Sequence, residues 1–153
     1  MVDLRSSYLG FDLASPIVAS AGPATGDPRT LESLESAGVG AVVLPSLFEE
    51  QIDQEAFAFD AIREQGTNVF GEAQTYLPDL DDDDTGPNRH LALVERARER
   101  LTIPVIASLN GVTPGGWVRY ARYLVDAGAQ AIELNLYDVV TDPHVDAAAV
   151  EHR

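Results

Sequence analysis

Pro-Ile-Val-Ala-Ser at residues 16–20 returns almost unchanged at residues 104–108 as Pro-Val-Ile-Ala-Ser. A second repeated stretch, in which Ala-Gly precedes an apolar run, occupies residues 34–44 and 124–134. Each copy contains an apolar run, a loop, a helix, a glycine and a second apolar run. This order predicts a βαβ unit, whose strands are parallel and whose crossover is right-handed. The chain is therefore predicted to contain two βαβ units in tandem.

The four apolar runs of these units are the predicted strands. Each run is nearly continuous rather than alternating, which is typical of a parallel sheet covered on both faces. The predicted strands span residues 16–20, 40–45, 103–109 and 131–136. Ahead of them, residues 4–8 and 11–14 flank Gly10 and predict a small hairpin.

Capping residues mark the ends of the predicted crossover helices. Asp-Pro at 27–28 and Thr-Pro at 113–114 each combine an N-cap side chain with proline in the first turn. Gly38 and Gly128 follow these helices and are predicted to end them as C′ glycines.

The segment between the two units is predicted to hold two further helices. Apolar residues recur at helical spacing over residues 47–65 and again over residues 87–101. The aspartate-rich run at 79–84 is predicted to be a surface loop, and another helix is predicted to begin after Asp146.

Four parallel strands with alternating helices predict an α/β fold, the N-terminal half of a TIM (β/α)₈ barrel. Residues 1–153 are read as a single domain of four βα units, and a whole barrel needs roughly 250 residues. We therefore expect the chain to be an N-terminal fragment. A self-assembling half barrel and an open doubly wound sheet are the alternatives.

Composition excludes several classes of partner. The chain carries 25 acidic residues, ten arginines and no lysine, and its net charge of −15 repels nucleic acid and anionic membranes. It contains no cysteine, so disulfides and thiolate metal sites are excluded. The three histidines lack metal-ligand spacing and are predicted to lie on the surface, so no metal is expected. With no apolar run near the ~18 residues of a membrane span, a cytoplasmic protein is predicted.

Small and amide-bearing residues stand at the carboxyl ends of all four predicted strands. They occupy residues 20–23, 45–46, 108–111 and 135–138. Ligands of parallel α/β folds bind at the carboxyl ends of the strands. Hydroxyl and amide groups both donate and accept hydrogen bonds, which suits a heteroaromatic edge such as flavin or pyrimidine. Small residues also form ordinary turns, so this pattern leaves both interpretations open.

The motifs together resemble the dihydroorotate dehydrogenase family, and more closely its dihydroorotate dehydrogenase-like branch. The family resemblance is carried by four stretches: Pro-Ile-Val-Ala-Ser-Ala-Gly at 16–22, the unit from Ala37-Gly38 to Val42-Val43, Asn68 with Gly71, and Glu-Leu-Asn-Leu at 133–136. Leu-Pro-Ser-Leu-Phe-Glu-Glu-Gln-Ile at 44–52, Ser-Leu-Asn-Gly at 108–111 and Gly-Gly-Trp at 115–117 carry the resemblance to the branch. The resemblance implies an FMN-binding TIM barrel of about twice this length.

The resemblance also implies roles for individual residues. Those matching FMN contacts are Ala19, Ser20, Ala21, Gly22, Ser46, Ser108, Asn110 and Asn135. Asn68 and Asn135 match asparagines that hold the pyrimidine substrate. The FMN phosphate site of the family is built by later strands.

Two departures from the family pattern affect the predicted chemistry. Ser46 stands in the region where the family carries a lysine that stabilises reduced flavin. Tyr137 and Asp138 follow the asparagine motif in place of the family's cysteine or serine base, and Asp138 is the candidate base. We predict an oxidoreductase that oxidises dihydroorotate to orotate, with a small pyrimidine-like substrate and with homodimer formation as a further option. A catalytically degenerate flavin-binding or scaffold barrel is the alternative.

Overall fold

A computed structural model of the chain describes residues 3–49, 86–111, 116–136 and 140–151. Its strands are β1 (Ser6–Tyr8), β2 (Phe11–Leu13), β3 (Val18–Ala19), β4 (Ala41–Phe48), β5 (Val105–Gly111) and β6 (Ala131–Leu136). Its helices are α1 (Pro28–Ser36), α2 (Gly86–Arg100), α3 (Gly116–Asp126) and α4 (Ala147–Glu151), with a 3₁₀ turn at Pro23–Gly26.

The central feature is a four-stranded parallel sheet in the order β3-β4-β5-β6. Sequential neighbours pair throughout, as expected when each strand is joined to the next by a right-handed crossover. The two βαβ units of the repeat therefore lie side by side, and the junction between them is the β4–β5 pair. This sheet confirms the predicted α/β architecture.

The helices begin and end where the capping residues indicate. The Asp27 carboxylate accepts from the Arg29 amide at 2.9 Å, and Pro28 occupies the first helical position of α1. Gly38 and Gly128 both have positive φ, 93° and 106°. That conformation is favourable for glycine and satisfies the last carbonyls of a helix. The other predicted N-cap, at residues 113–114, lies outside the described residues.

All three crossover helices pack on the same face of the sheet. Leu31 of α1, Val94 of α2 and Leu124 of α3 belong to one buried cluster with the strand side chains that face them. A doubly wound sheet carries helices on both faces, whereas a (β/α)₈ barrel carries them on one. The one-sided arrangement therefore fits half of a TIM barrel and excludes the doubly wound alternative over the described residues.

The opposite face, called the inner face here, is covered at one end by the predicted hairpin. β1 and β2 pair antiparallel around a turn at Leu9 and Gly10, whose φ values of 52° and 81° match a two-residue hairpin turn. Leu13 packs with Val43 and Ile106 in a second buried cluster. Since Leu13 also approaches Gly40, just before β4, the hairpin lies toward the amino-terminal ends of the strands.

An irregularity in β4 decides which side chains reach the inner face. Val43 pairs with Ile106 and Ser46 pairs with Ser108, so β4 uses one more residue than β5 over this interval. The extra residue falls at Leu44–Pro45, and proline within a sheet is typical of a bulge. The strand continues to Phe48. The predicted end at residue 45 and the predicted helical start at residue 47 are therefore wrong.

A carboxylate joins α1 to the loop that leads into β5. Glu35 accepts from the Thr102 amide at 2.9 Å and from the Thr102 hydroxyl at 2.6 Å, and it also accepts from the Ile103 amide. The Thr102 hydroxyl is the main cause of a lowered pKa at Glu35. These bonds hold the start of the second βαβ unit against the first.

His90 is buried, so its predicted surface position is wrong. Only 9% of the residue is exposed, because it lies on the same stripe of α2 as Val94 and Ala97. Its Nε2 has no hydrogen-bond partner in the part of the chain that the structure describes. Burial lowers the pKa of His90, because the charged imidazolium is poorly solvated there.

We expect His90 to make stability depend on pH. The unfolded chain binds a proton at His90 below about pH 6.5, whereas the folded chain resists it until lower pH. The free energy of unfolding should therefore fall as the pH drops from about 7 to 5, and His90→Leu should flatten that slope. Urea denaturation at several pH values measures it. His144→Leu, at an exposed histidine, is the control and should keep the wild-type slope. An unchanged slope in His90→Leu contradicts the expectation.

Other predictions fall partly or wholly outside the described residues. These include most of the predicted helix over 47–65 and the acidic loop at 79–84. The predicted second helix of the joining segment corresponds to α2, and the predicted helix after Asp146 corresponds to α4.

Among the described residues, no helix has the length and apolar character needed to cross a membrane.

Candidate functional site

Three rows of side chains cross the inner face, and the candidate site is formed by the two rows nearer the carboxyl ends of the strands. Alternate residues of a strand share a face, and the pairing register places each row across β4, β5 and β6. From the amino-terminal side, the rows are Val43–Ile106–Ala131, Ser46–Ser108–Glu133 and Phe48–Asn110–Asn135. The inner face thus changes from apolar to polar along the strands.

The middle row is joined by hydrogen bonds. The Ser46 and Ser108 hydroxyl oxygens are 2.8 Å apart, and the Ser108 hydroxyl donates to the Glu133 carboxylate at 2.8 Å. Asn135 donates from Nδ2 to Ser108 Oγ at 3.3 Å and to Glu133 Oε1 at 3.4 Å. We call these four residues the Ser-Ser-Glu-Asn network. It connects three neighbouring strands through side chains alone.

The residues of the network differ in burial, from a completely buried centre to an exposed margin. Ser108 is completely buried, and its neighbour on the inner face, Asn110, is 8% exposed. Ser46 and Glu133 are half-buried, whereas Asn135 is exposed. The buried hydroxyl therefore organises groups that a ligand can reach. Glu133 adds carboxylate oxygens, which accept hydrogen bonds, to this part of the sheet.

The loop after β3 lies beside the carboxyl end of β4. Thr25, only 1% exposed, holds this loop because its hydroxyl donates to the Gly22 carbonyl at 3.0 Å and accepts from the Gly22 amide at 3.2 Å. A side chain at Gly26 would contact Pro45 at 3.3 Å. At Gly22, by contrast, an added Cβ would meet only the Ser20 carbonyl, at 4.0 Å. The loop is thus anchored on one side and open at Gly22.

The predicted site residues separate into four groups. Ser46, Ser108 and Asn135 lie in the Ser-Ser-Glu-Asn network, with Asn110 in the adjacent row. Ser20, Ala21 and Gly22 form the loop at the end of β3, next to β4. Ala19 immediately precedes this loop as the last residue of β3, but its side chain packs in the cluster on the helix side. Asn68 and Asp138 lie outside the described residues.

Glu133 is the functional candidate that the sequence interpretation missed. It belongs to the Glu-Leu-Asn-Leu motif and stands two residues before Asn135 on β6. Residues at i and i+2 of a strand share a face. The signal in the sequence is that spacing, together with a charged residue in a strand whose other residues are apolar apart from Asn135.

The network offers hydrogen-bonding groups but no obvious metal site. Hydroxyl, amide and carboxylate groups together can bind a planar ligand whose edge carries both donors and acceptors. The edge of a flavin or a pyrimidine has this character, so the residues present fit such a group. Over the ranges that the structure describes, no three His, Asp or Glu side chains are grouped to hold a metal ion.

Two curated proteins align with this chain, and no protein-family model matches it. A protein of Aeropyrum pernix that carries the name of a dihydroorotate dehydrogenase A (fumarate) is 45% identical over 53 residues, which are 35% of this chain and 16% of that protein. The catalytic subunit of a dihydroorotate dehydrogenase B (NAD(+)) from Thermoplasma acidophilum is 26% identical over 151 residues.

The second alignment covers 99% of this chain and 46% of the Thermoplasma protein. The chain therefore spans about half the length of the relative that it matches from end to end. In sequence, then, the chain is similar to two dihydroorotate dehydrogenases, and to one of them along almost its whole length, which confirms the resemblance that its motifs predicted.

Proposed function

We propose that this chain belongs to a cytoplasmic FMN-dependent oxidoreductase that acts on a small pyrimidine-like substrate, with oxidation of dihydroorotate to orotate as the expected reaction. One observation carries the proposal. The Ser-Ser-Glu-Asn network joins three strands toward their carboxyl ends, in a chain that is similar along almost its whole length to one dihydroorotate dehydrogenase. Such strand ends are where barrel enzymes bind their ligands.

The residues of this chain would bind and orient the cofactor and the substrate. Bound FMN would supply the hydride acceptor for the oxidation. The loop at residues 20–22 would approach the flavin closely because its side chains are small. Ser46 and Asn135 would contact the polar edge of a ring, and the buried Ser108 would hold them in place. Asp138 and Asn68 keep their proposed roles as proton acceptor and substrate ligand, respectively.

The proposal is tested on the purified protein that contains this chain, with FMN and dihydroorotate as probes. We expect a visible flavin absorption band after purification or after addition of FMN, and quenching of FMN fluorescence on binding. Dihydroorotate added without oxygen should bleach the band, because the flavin becomes reduced. A protein that neither retains nor binds FMN would contradict the proposal.

A second candidate, a flavin-binding module without catalysis, is favoured by the end of β4. Ser46 stands where the resembled family has a lysine, and the chain has no lysine at all. Without a cation, a negative charge that develops on reduced flavin loses a stabilising partner. The same experiment separates the two functions, because such a module would bind FMN but would not be bleached by dihydroorotate.

A further inference from the structure

The hydrogen-bond directions within the Ser-Ser-Glu-Asn network are determined by its chemistry. An ionised carboxylate accepts hydrogen bonds and donates none, so the proton between Ser108 and Glu133 comes from Ser108. A serine hydroxyl has only one proton to donate. The bond between the two serines, at 2.8 Å, must therefore use the proton of Ser46. Ser46 donates inward to Ser108, and Ser108 donates onward to Glu133.

The same reasoning orients the amide of Asn135. Its inward atom lies 3.3 Å from Ser108 Oγ and 3.4 Å from Glu133 Oε1. An amide oxygen in that place would face a carboxylate oxygen with no proton between them, so the NH₂ group is turned inward. The carbonyl oxygen of Asn135 is then on the other side of the amide. Ser108, with one bond donated and two accepted, is saturated.

We infer that the exposed edge of this network is an acceptor edge, which selects a ring N–H of a cyclic amide or imide. Because the Ser46 hydroxyl donates its proton to Ser108, only its lone pairs are left to bind a ligand. Because the NH₂ group of Asn135 faces the network, its carbonyl oxygen is left to accept a hydrogen bond from a ligand. Glu133 imposes this polarity through Ser108, as a positioning residue. The inference deepens the proposed function and rests on it, because both flavin and pyrimidine rings carry such an N–H. It also distinguishes this site from one with lysine at the end of β4, where the protein would donate.

The test compares ligands that differ only in the N–H, using the purified protein that contains this chain. Comparing lumiflavin with 3-methyllumiflavin tests whether the edge binds the N–H of a flavin. Comparing uracil with 1,3-dimethyluracil tests whether it binds the N–H of a pyrimidine. We expect at least one pair to be discriminated about tenfold in favour of the N–H form, as suits one hydrogen bond gained or left unmade. Fluorescence quenching for the flavins and calorimetry for the uracils give the dissociation constants.

Matched variants at Ser46 separate hydrogen bonding from steric exclusion of the methyl group. Thr and Val have nearly the same shape, but only Thr retains a hydroxyl. Ser46→Thr should keep the preference for the N–H form, whereas Ser46→Val should lose it. Glu133→Gln should also keep it, because the Gln oxygen can still accept from Ser108.

The outcomes distinguish this inference from the proposed function. Equal affinities within both ligand pairs, an absence of binding in both, or a preference that survives in Ser46→Val overturns the acceptor edge. A protein that discriminates the uracil pair but binds no flavin contradicts the proposed function and leaves the acceptor edge supported.

Discussion

Replacement of Ser108 by alanine is expected to lower the free energy of unfolding by about 2 kcal/mol, even though the change removes a single oxygen atom. Ser108 is completely buried, and its hydroxyl both donates to Glu133 and bonds to Ser46. A hydrogen bond to a charged group contributes about 1.5–3 kcal/mol, and a polar group left unsatisfied adds a further cost. Partial exposure of Glu133 and Ser46 lets water recover some of this loss, which places the expected value toward the lower end.

Urea denaturation of the purified protein measures the effect. Ser33→Ala is the control, because the Ser33 hydroxyl donates to the Arg29 carbonyl on an exposed helix surface. Surface substitutions of this kind usually change stability by less than about 0.5 kcal/mol. A loss in Ser108→Ala no larger than that in Ser33→Ala would show that the network contributes little to stability.

A double-mutant cycle with Ser46→Ala tests whether the two serines act together. In Ser108→Ala the Ser46 hydroxyl has already lost its acceptor. Adding Ser46→Ala to that variant should therefore lower the free energy of unfolding by less than Ser46→Ala does in the wild-type chain. Residues in direct contact typically show coupling of about 0.5–3 kcal/mol. Additive effects would contradict the direct bond. The cycle is informative because it separates the contribution of the Ser46–Ser108 hydrogen bond from that of the Ser108–Glu133 hydrogen bond.

The repeated sequence was sufficient to predict the sheet. Buried parallel strands are continuous apolar runs, and their crossovers are short and right-handed, so two similar βαβ stretches leave few arrangements open. The glycines at 38 and 128 were predictable for the same local reason, since a helix end with positive φ strongly favours glycine. These features depend on neighbours in sequence, which a single chain reveals.

The composition of the site was harder to predict because it depends on register. Ser46 reaches the inner face only because β4 has one extra residue between Val43 and Ser46. Pro45 hints at an irregularity, but its position relative to β5 is set by pairing across the sheet. Glu133 joined the site for a related reason, since its role depends on lying opposite Ser108.

His90 shows that polarity is a weak guide when periodicity points the other way. The surrounding sequence is polar, which suggested a surface position. Residues 90, 94, 97 and 101 are nevertheless spaced as one helical stripe, and the last three are apolar. All four are buried. The helical period therefore predicts burial correctly where the residue type does not.

Gly40→Ala is expected to lower the free energy of unfolding by about 3 kcal/mol, at the upper end of the usual cost of overpacking. Gly40 is buried just before β4, and its amide donates to the Ile17 carbonyl at 2.7 Å. An added Cβ would overlap the Ser15 carbonyl oxygen and lie 3.1 Å from the Leu13 Cβ. Since the obstructing oxygen belongs to the backbone, the chain leaving the hairpin must move as a unit to make room.

Gly38→Ala, two residues away, separates this steric effect from backbone strain. Gly38 has a φ of 93° but open space around an added Cβ, whereas Gly40 is not among the described glycines with positive φ. Gly38→Ala should lower the free energy of unfolding by only about 1 kcal/mol, the usual penalty of forcing alanine into a glycine conformation. Urea denaturation of both variants gives the comparison. If Gly40→Ala is no more destabilising than Gly38→Ala, the hairpin is not held firmly against the start of β4, and the amino-terminal end of the inner face is more adaptable than its packing indicates.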